Sequence, residues 1–287
     1  MNVGFIGAGK VGFTLGKFFV QGGIPVTGYY SRHGESAKEA ARFTGTKQYD
    51  SMNELIYDSE AIFLTVPDAE IPLLFEKVKE LEITGKAVCH CSGVLTVQEA
   101  FSGIEETGAY GYSIHPLFPI SSKLNAYREL PGAFFCLEGD GPHLDYWERT
   151  LSALGCKVRL LEAGSKVKYH AACVIASNFM CALAAESLEL LADCGFSQEE
   201  ALEALAPLMQ SNLGHIFAAG PVAALTGPVE RNDAATVKKH LGCLRSPDDR
   251  ALYRAVSKKL VRLAGKKRPE RSYQELEKIL SEGEKPI

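Results

Sequence analysis

Three glycines near the start of the chain stand at a spacing that can hold a phosphate group. The segment reads Gly7-Ala8-Gly9-Lys10-Val11-Gly12, which is the pattern G-x-G-x-x-G. The first glycine permits a tight turn, the second lets the backbone approach a pyrophosphate, and the third lets a helix pack close to a strand. The N-terminus of that helix offers unpaired N–H groups and a partial positive charge. The motif predicts a dinucleotide site formed by all six residues, with a glycine turn that holds no ligand as the alternative.

The residues after the second predicted strand favour NADP over NAD. Enzymes that bind NAD place an acidic residue there to bind the ribose hydroxyls. This chain instead reads Tyr30-Ser31-Arg32-His33 and has no acid before Glu35. The Ser31 hydroxyl and the Arg32 guanidinium can bind a 2′-phosphate through charge-assisted hydrogen bonds. The alternative is that Arg32 is an ordinary solvated surface residue.

Two later strand ends are expected to face the same crevice. Ligands of doubly wound sheets bind outside the carboxyl ends of the strands, where the strand order switches. Thr65-Val66-Pro67 is predicted to line the cofactor there, and Ser92-Gly93 is predicted to contact the substrate. Pro67 could instead simply end its strand, and Ser92 could cap a turn.

The elements that would position these residues alternate between strand and helix in the first half of the chain. Apolar runs at 2–6, 24–30, 61–66, 87–90 and 109–114 predict strands with helices between them, and the sheet continues through 133–137 and 157–160. Such alternation is typical of a parallel sheet with right-handed crossovers. Asp68 is predicted to cap a helix that runs to about residue 81.

After Gly164 the pattern becomes wholly helical. Residues 166–193 contain neither proline nor glycine and predict one long helix, and no later segment reads as a strand. The predicted fold class is therefore α/β, a Rossmann-type doubly wound parallel sheet followed by an all-α domain. The predicted domains are 1–163 for the dinucleotide, 164–264 for substrate and dimerisation, and a charged tail at 265–287 with an amphipathic piece at 273–280.

Composition and charge indicate which kinds of partner the protein does not bind. The formal net charge is −4 and the pI is about 6.0, which argues against nucleic acid as a partner. The 8 cysteines are scattered, and Cys89-His90-Cys91 lacks a second ligand pair, so we expect reduced thiols and no metal. We also expect no secretory signal and no apolar run long enough to cross a bilayer, hence a cytoplasmic protein without a membrane partner.

Several segments together resemble a known superfamily. The chain resembles the 6-phosphogluconate-dehydrogenase-like superfamily. Within it, the chain is most similar to a group of predicted NADP-dependent oxidoreductases in which a Rossmann-like domain is followed by a helical domain of unknown function (DUF2520-like). Ketopantoate reductase and pyrroline-5-carboxylate reductase are more distant relatives. The resemblance implies hydride transfer, an active site in the cleft between domains and a homodimer formed through the helical domains, but it supplies no substrate. It is carried by residues 3–12, Cys91-Ser92-Gly93, Ser113-Ile114-His115-Pro116-Leu117, Lys168-Tyr169-His170-Ala171-Ala172, Ser177-Asn178 and Leu225-Thr226-Gly227-Pro228 with Arg231, Asp233 and Thr236.

The reduction that this resemblance implies needs a proton donor as well as a hydride. Better-known relatives use a lysine and an asparagine four residues apart on the first helix of the second domain. Lys166 and His170 stand at that spacing here, about 40° apart around a helix, whereas Lys168 lies on the opposite side. His115, which ends a predicted strand and is followed by Pro116, is the other candidate. Lys166, His170 and His115 are thus the predicted catalytic residues, and structural histidines are the alternative.

Asn178 and Arg231 are predicted to bind substrate. Asn178 lies about 12 Å along the helix axis from His170, too far to reach the same small atom as Lys166. It could instead bind the cofactor or join helices. Arg231 can bind a carboxylate from its own or a partner subunit, or it can contact Asp233.

The sequence therefore predicts an NADP-dependent oxidoreductase that acts on a small polar carbonyl or imine, with or without a carboxylate. Two other functions stay open. One is a catalytically silent NADPH-binding module that reports redox state, and the other is a deazaflavin-linked reductase.

Overall fold

A computed structural model describes residues 1–162 and 164–282. Within them, eight strands form one sheet. Its order is β3-β2-β1-β4-β5-β6-β7-β8. The strands are β1 (Val3–Ile6), β2 (Val26–Tyr30), β3 (Lys47–Gln48), β4 (Ala61–Leu64), β5 (Ala87–His90), β6 (Tyr110–Leu117), β7 (Phe134–Glu138) and β8 (Lys157–Leu160).

Helices lie between most of the strands, and the described residues after β8 contain helices and no further strand. The helices of the first half are α1 (Lys10–Gln21), α2 (Gly34–Thr44), α3 (Met52–Tyr57), α4 (Ile71–Val78), α5 (Val97–Ala100) and α6 (Leu144–Ala153). Those that follow β8 are α7 (Lys166–Ala176), α8 (Asn178–Asp193), α9 (Gln198–Ala224), α10 (Ala234–Cys243), α11 (Pro247–Lys267) and α12 (Gln274–Ser281).

The sheet reverses its winding between β1 and β4. From β1 the chain moves outward to β2 and β3, then returns to β4 on the other side of β1 and continues outward. This arrangement confirms the predicted doubly wound fold followed by helices, and it opens a crevice at the carboxyl ends of β1 and β4. The sheet departs from the predicted parallel pairing at one place, because β7 pairs antiparallel with β6.

Both faces of the sheet are buried against helices. On one face, Phe5, Phe19 and Phe63 pack around Trp147, the one tryptophan of the chain. On the other face, an aliphatic cluster packs with Phe75 and Phe101. Because both faces are covered, β1, β4 and β5 are buried along their whole length without alternation, as expected for central parallel strands.

The chain divides into two compact units, Met1–Phe179 and the residues from Met180 onward. The domain limits predicted from sequence stay a prediction. The single helix predicted over 166–193 is wrong, because α7 ends at Ala176 and α8 begins at Asn178. Ser177 between them has φ −117° and ψ −70°, a departure from helical geometry that no proline or glycine signals in the sequence.

The second unit has a core of its own between α10, α11 and α12. Its members include Val237, Val261 and Leu276. The segment predicted as a charged tail contains the last residues of α11, which extends to Lys267, and the whole of α12. Helix α12 covers the amphipathic piece and buries Leu276, Ile279 and Leu280. Its apolar spacing outweighs the surrounding charges because three large side chains lie on one face.

One segment is more apolar than the sequence analysis allowed. By length and composition alone, Lys166–Asp193 could cross a membrane, and none of its most apolar window is buried. The expectation that no apolar run is long enough to cross a bilayer was therefore wrong as far as length and composition are concerned. The segment is broken at Ser177, however, and its first residue, Lys166, is 1% exposed among polar side chains of the first unit.

Candidate cofactor cleft and active site

The glycine turn has the geometry that a bound phosphate requires. Gly7 has φ +107°, a conformation that side chains disfavour, and its N–H donates to the Tyr30 carbonyl at 2.8 Å. Gly9 precedes α1 and provides no side-chain cap. A Cβ on Gly9 would meet only the Thr65 carbonyl, at 3.9 Å. The first N–H groups of α1 therefore face a space that is open to an anion.

A cleft of about 370 Å³ lies beside this turn. It follows the carboxyl ends of β1, β2 and β4, where the strand order reverses. Most of the residues predicted to hold the cofactor line it, together with several that were not predicted from sequence. The lining residues are Ile6, Gly7, Ala8, Gly9, Tyr30, Ser31, Arg32, His33, Ser36, Thr65, Val66, Pro67, Glu70, Leu73, Leu74, Lys77 and Lys123.

The lining of the cleft is rich in positive charge. Arg32, Lys77 and Lys123 all line it. The Arg32 side chain is 73% exposed, and its Nη2 lies 3.5 Å from Oε2 of Glu70. The lining of the cleft carries a guanidinium and two ammonium groups against one carboxylate, although Lys123 is also paired with Glu39, which does not line the cleft. This excess of positive charge suits a phosphate ester.

A smaller adjoining cavity of about 310 Å³ continues from the glycine turn toward β5. It includes Lys10 and Val11 at one end and Cys91 and Ser92 at the other. The Ser92 hydroxyl donates to the Asp68 carboxylate at 2.8 Å and also accepts the Val94 and Leu95 N–H groups. The predicted capping role of Asp68 is wrong, because its carboxylate holds Ser92 instead of the helix that follows.

Beyond Ser92 lies a cluster built on α7. Lys166 is buried, and its ammonium group donates to the Ser113 hydroxyl and lies 3.8 Å from Oε2 of Glu138. That carboxylate oxygen is itself buried and accepts no hydrogen bond among the described residues, while Oε1 accepts the Val97 N–H at 3.2 Å. Lys166 is thus the counter-ion of Glu138 inside the first unit.

The two candidate histidines meet at Gly93. Their rings are 6.4 Å apart and nearly perpendicular. A Cβ on Gly93 would overlap the His170 ring and stand 3.0 Å from Nε2 of His115. The Nδ1 atom of His115 is hydrogen-bonded to the Tyr169 hydroxyl at 2.7 Å. The absence of a side chain at Gly93 lets both imidazoles approach the loop that carries Ser92.

The prediction that His115 ends its strand is wrong. Strand β6 continues to Leu117, and His115 and Pro116 pair with Cys136 and Phe135 of β7. The antiparallel partner explains the difference, because it extends β6 beyond the point where its parallel neighbour stops. The pairing of β6 with β7 fixes the position of the His115 backbone, and the His115 side chain contacts Tyr169 of α7.

Burial sets the protonation of this cluster. It lowers the pKa of His115 to about 4, with further lowering by electrostatic interaction with Lys166 and His170. It also lowers the pKa of Lys166 to about 8, against which the Glu138 carboxylate acts. Burial raises the pKa of Tyr169 well above its usual value. At neutral pH, His115 is therefore a neutral hydrogen-bonding group and Lys166 carries the proton and the charge.

The thiols near the site are protonated. Burial raises the pKa of Cys91 to about 12 and also raises the pKa of Cys89 well above its usual value. His90 between them is fully buried and accepts the Ser92 N–H through Nδ1. In the described ranges 1–162 and 164–282, no group of three or more His, Cys, Asp or Glu side chains could hold a metal ion.

Two further residues, Asn178 and Arg231, were predicted to bind substrate. Asn178 is exposed at the start of α8. Arg231 is exposed in the second unit, two residues before Asp233, which caps α10 by accepting the Thr236 N–H at 3.0 Å. The Thr236 hydrogen bonds, and to a smaller extent the charge of Arg231, lower the pKa of Asp233. The roles of Asn178 and Arg231 in substrate binding stay predictions.

Comparison with known families identifies both parts of the chain. Residues 1–116 match the Rossmann-like domain, and residues 133–260 match the domain of unknown function DUF2520. Over these two ranges the chain matches a Rossmann-like domain followed by a DUF2520 domain. The resemblance stated from the sequence is thereby confirmed at the level of these two families. The DUF2520 region begins at β7, where the sheet turns antiparallel, and therefore contributes Glu138 and α7 to the cluster.

Solved structures share this architecture over nearly the whole chain. A candidate NADP oxidoreductase from Bacteroides fragilis is 20% identical with a TM-score of 0.74, over 91% of this chain and 98% of that one. A protein from Thermotoga maritima is 27% identical with a TM-score of 0.71, over 93% and 99%. A reductive aminase from Aspergillus terreus, solved with NADPH and ethyl levulinate, is 17% identical with a TM-score of 0.67, over 91% and 93%. No curated protein matches the chain.

Four residues that form polar contacts in these sites are among those not predicted as site residues from the sequence: Tyr169, Ser113, Glu138 and Glu70. Tyr169 carried a usable signal, because it stands three residues after Lys166 on the same helix and therefore lies on a neighbouring part of its surface. The other three could not be found by spacing. They lie on separate segments that only the sheet and the crevice bring to Lys166 and Arg32.

Proposed function

We propose that this protein is an NADP-dependent oxidoreductase that reduces a small polar carbonyl or imine compound. The observation that carries the proposal is the placement of His115 and His170 against Gly93, next to the Ser92 end of the cavity that begins at the glycine turn, with the buried Lys166 four residues before His170 on α7. The shared fold with NADPH-bound reductases supports the same class of reaction. A carbonyl or imine substrate would need both a hydride and a proton at adjacent atoms.

The chain's own residues fit NADP. The backbone N–H groups after Gly9 would hold the pyrophosphate, and Ser31 and Arg32 would hold the 2′-phosphate. Thr65, Val66 and Pro67 would line the path between these ends and Ser92. NADPH supplies a hydride when it is bound.

The cluster would supply the proton and stabilise developing negative charge. Lys166 is the cationic acid, and its lowered pKa of about 8 places proton release near neutral pH. His115 is neutral and is oriented by Tyr169, so its Nε2 can hydrogen-bond to a substrate atom beside Gly93. His170 forms the other side of the same space.

Removal of either histidine is expected to spare cofactor binding and to impair turnover. His115→Ala and His170→Ala should each keep the wild-type Kd for NADPH within about twofold, because neither ring lines the cofactor cleft. NADPH oxidation should fall by about 10²-fold or more, the usual effect of losing a group that acts on the proton. The assay follows the absorbance of NADPH with a panel of cyclic imines and 2-oxo acids.

His143→Ala is the matched control. His143 is also half-buried and contacts Tyr110 and Tyr112, but it lies at the opposite end of β6. Full turnover in both the His115 and His170 variants would refute the assignment of the cluster.

Arg32→Ala is expected to weaken NADPH binding selectively. The loss should be about 10- to 100-fold, which corresponds to a charged hydrogen bond of about 1.5–3 kcal/mol. The Kd for NADH should hardly change, since NADH lacks the 2′-phosphate. Arg42→Ala is the control, because Arg42 is an exposed arginine of α2 outside the cleft. Equal affinities of the wild type for NADPH and NADH would contradict the preference for NADP.

We further propose that the protein is a homodimer formed through its helical unit. Large apolar side chains of α8 and α9 are exposed, including Leu208 at 66% and Phe217 at 84%. Helices that are apolar around most of their surface are normally buried, and extended exposed apolar patches mark interfaces. A second copy of the chain would cover this surface.

Sedimentation velocity tests the dimer. The wild type should sediment at twice the chain mass of 31.1 kDa. Phe217→Glu should shift it toward the monomer. Tyr57→Glu, at an equally exposed aromatic residue of the first unit (81%), should not. A monomeric wild type at micromolar concentration would rule the dimer out.

A further inference from the structure

Glu70 lies at the Arg32 end of the cofactor cleft. It ends the short turn Asp68–Glu70 that follows Thr65-Val66-Pro67. Its Oε2 lies 3.5 Å from Nη2 of Arg32, and the two side chains are 44% and 73% exposed. Glu70 therefore reaches from the β4 side of the crevice to the guanidinium that follows β2.

Glu70 differs in charge from the other ionisable residues around this pair. Among the described residues that line the cleft, it is the one acidic residue, against Arg32, Lys77 and Lys123. Lys123 already has a carboxylate partner in Glu39, at 3.2 Å. The guanidinium of Arg32 is thus shared between Glu70 and any anion that enters the cleft.

The Glu70 carboxylate has no structural task that would explain its position. It precedes α4 without forming a side-chain cap, and its ion pair with Arg32 is solvent-exposed. Exposed pairs of this kind add little to stability. The Glu70 carboxylate nevertheless acts on the charge of a bound ligand, because an anion that binds to Arg32 must also come close to this carboxylate.

We propose that Glu70 limits the preference of this cleft for NADPH over NADH by competing with the 2′-phosphate for Arg32. The inference rests on the proposed function. In the free protein, Glu70 neutralises Arg32. On binding of NADPH, the pair must loosen, and the carboxylate repels the phosphate that replaces it. NADH brings no charge to this position and leaves the pair intact. Glu70 is thus a specificity residue that limits the preference for NADPH.

The test compares dissociation constants of the full-length protein for NADPH and NADH, measured by cofactor fluorescence at low ionic strength. Glu70→Gln keeps the size and the turn but removes the charge. We expect it to tighten NADPH binding by about twofold to fivefold, the range of an exposed ion pair, and to leave NADH binding unchanged. The gain should shrink as salt is raised to about 1 M, where the screening length falls to about 3 Å.

Two further variants define the mechanism. In an Arg32→Ala background, Glu70→Gln should gain less for NADPH than in the wild type, because the competition requires the guanidinium. Glu76→Gln is the matched control, since Glu76 forms a comparable surface ion pair with Lys79 on α4 but does not line the cleft. It should change neither constant.

The outcomes separate this inference from the proposed function. If the wild type binds neither dinucleotide, the proposed function fails. If the wild type binds NADPH and Glu70→Gln leaves its Kd unchanged, or tightens NADPH and NADH equally, the role of Glu70 is overturned while the oxidoreductase proposal stands. An equal gain in the Arg32→Ala background would overturn the competition for Arg32.

Discussion

Lys166→Met is expected to lower the free energy of unfolding of the first unit by about 3 kcal/mol. The substitution removes the counter-ion of Glu138, whose Oε2 is buried and accepts no other hydrogen bond among the described residues. Breaking one side of a buried ion pair typically costs about 3–5 kcal/mol, and the lower end applies because the Glu138 side chain keeps 15% exposure. Urea unfolding followed by the fluorescence of Trp147 reports on this unit, because Trp147 is the one tryptophan and lies in its core.

The Lys166→Met, Glu138→Gln double variant is the control. A neutral amide in place of the Glu138 carboxylate can still accept the Val97 N–H, and it no longer needs a counter-ion. Removing both charges should therefore recover at least half of the lost stability. A double variant as unstable as the single one would show that Lys166 contributes packing and not charge.

The lowered pKa of Lys166 predicts a pH effect that is separate from the loss of the counter-ion, because burial disfavours the charged form of Lys166 more than Glu138 stabilises it. The folded-state pKa of about 8 lies below the ordinary value of 10.5, so the unfolded chain binds more protons between these pH values. Wild-type stability relative to Lys166→Met should therefore rise with pH through this window, by up to about 3 kcal/mol. The gain is present above the unfolded-state pKa and is lost as the pH falls through the folded-state value. A difference between the two proteins that stays constant across this window would contradict it.

Gly12→Ala is expected to destabilise the first unit by about 2 kcal/mol and to weaken NADPH binding by more than about tenfold. In most helices this change stabilises, because alanine is the better helix former by about 1 kcal/mol. Here a Cβ would stand 2.6 Å from Oγ1 of Thr65 and 2.7 Å from the Gly7 carbonyl oxygen. Those two atoms are hydrogen-bonded to each other and shape the turn, so relief of the overlap would distort the phosphate site.

Gly34→Ala provides the contrast within the same unit. Gly34 begins α2, and a Cβ there would meet only the Gln48 side chain, at an ordinary 3.7 Å. This variant should be as stable as the wild type or slightly more so, with an unchanged Kd for NADPH. Similar losses in both variants would mean that helix propensity, not close packing at the turn, accounts for the glycine.

Much of the cofactor half could be predicted from the chain itself. The glycine turn, the strands around it and the residues Ser31, Arg32 and Thr65 are local features, because a phosphate-binding turn is built within one short strand–turn–helix segment. The helical spacing also placed Lys166 and His170 on one side of α7. Periodicity is sufficient for such features, since it depends on residues that are close in sequence.

The protein's sequence determined the doubly wound fold and the glycine turn, whereas the tertiary structure alone decided what surrounds Lys166, His115 and Arg32. The antiparallel pairing of β6 with β7 gives His115 its place, and the packing of α7 on these strands brings Glu138 to Lys166 and Tyr169 to His115. The crevice between β1 and β4 likewise brings Glu70 to Arg32. These pairs join residues from separate elements that are distant in sequence, and their protonation follows from burial, which no local pattern records.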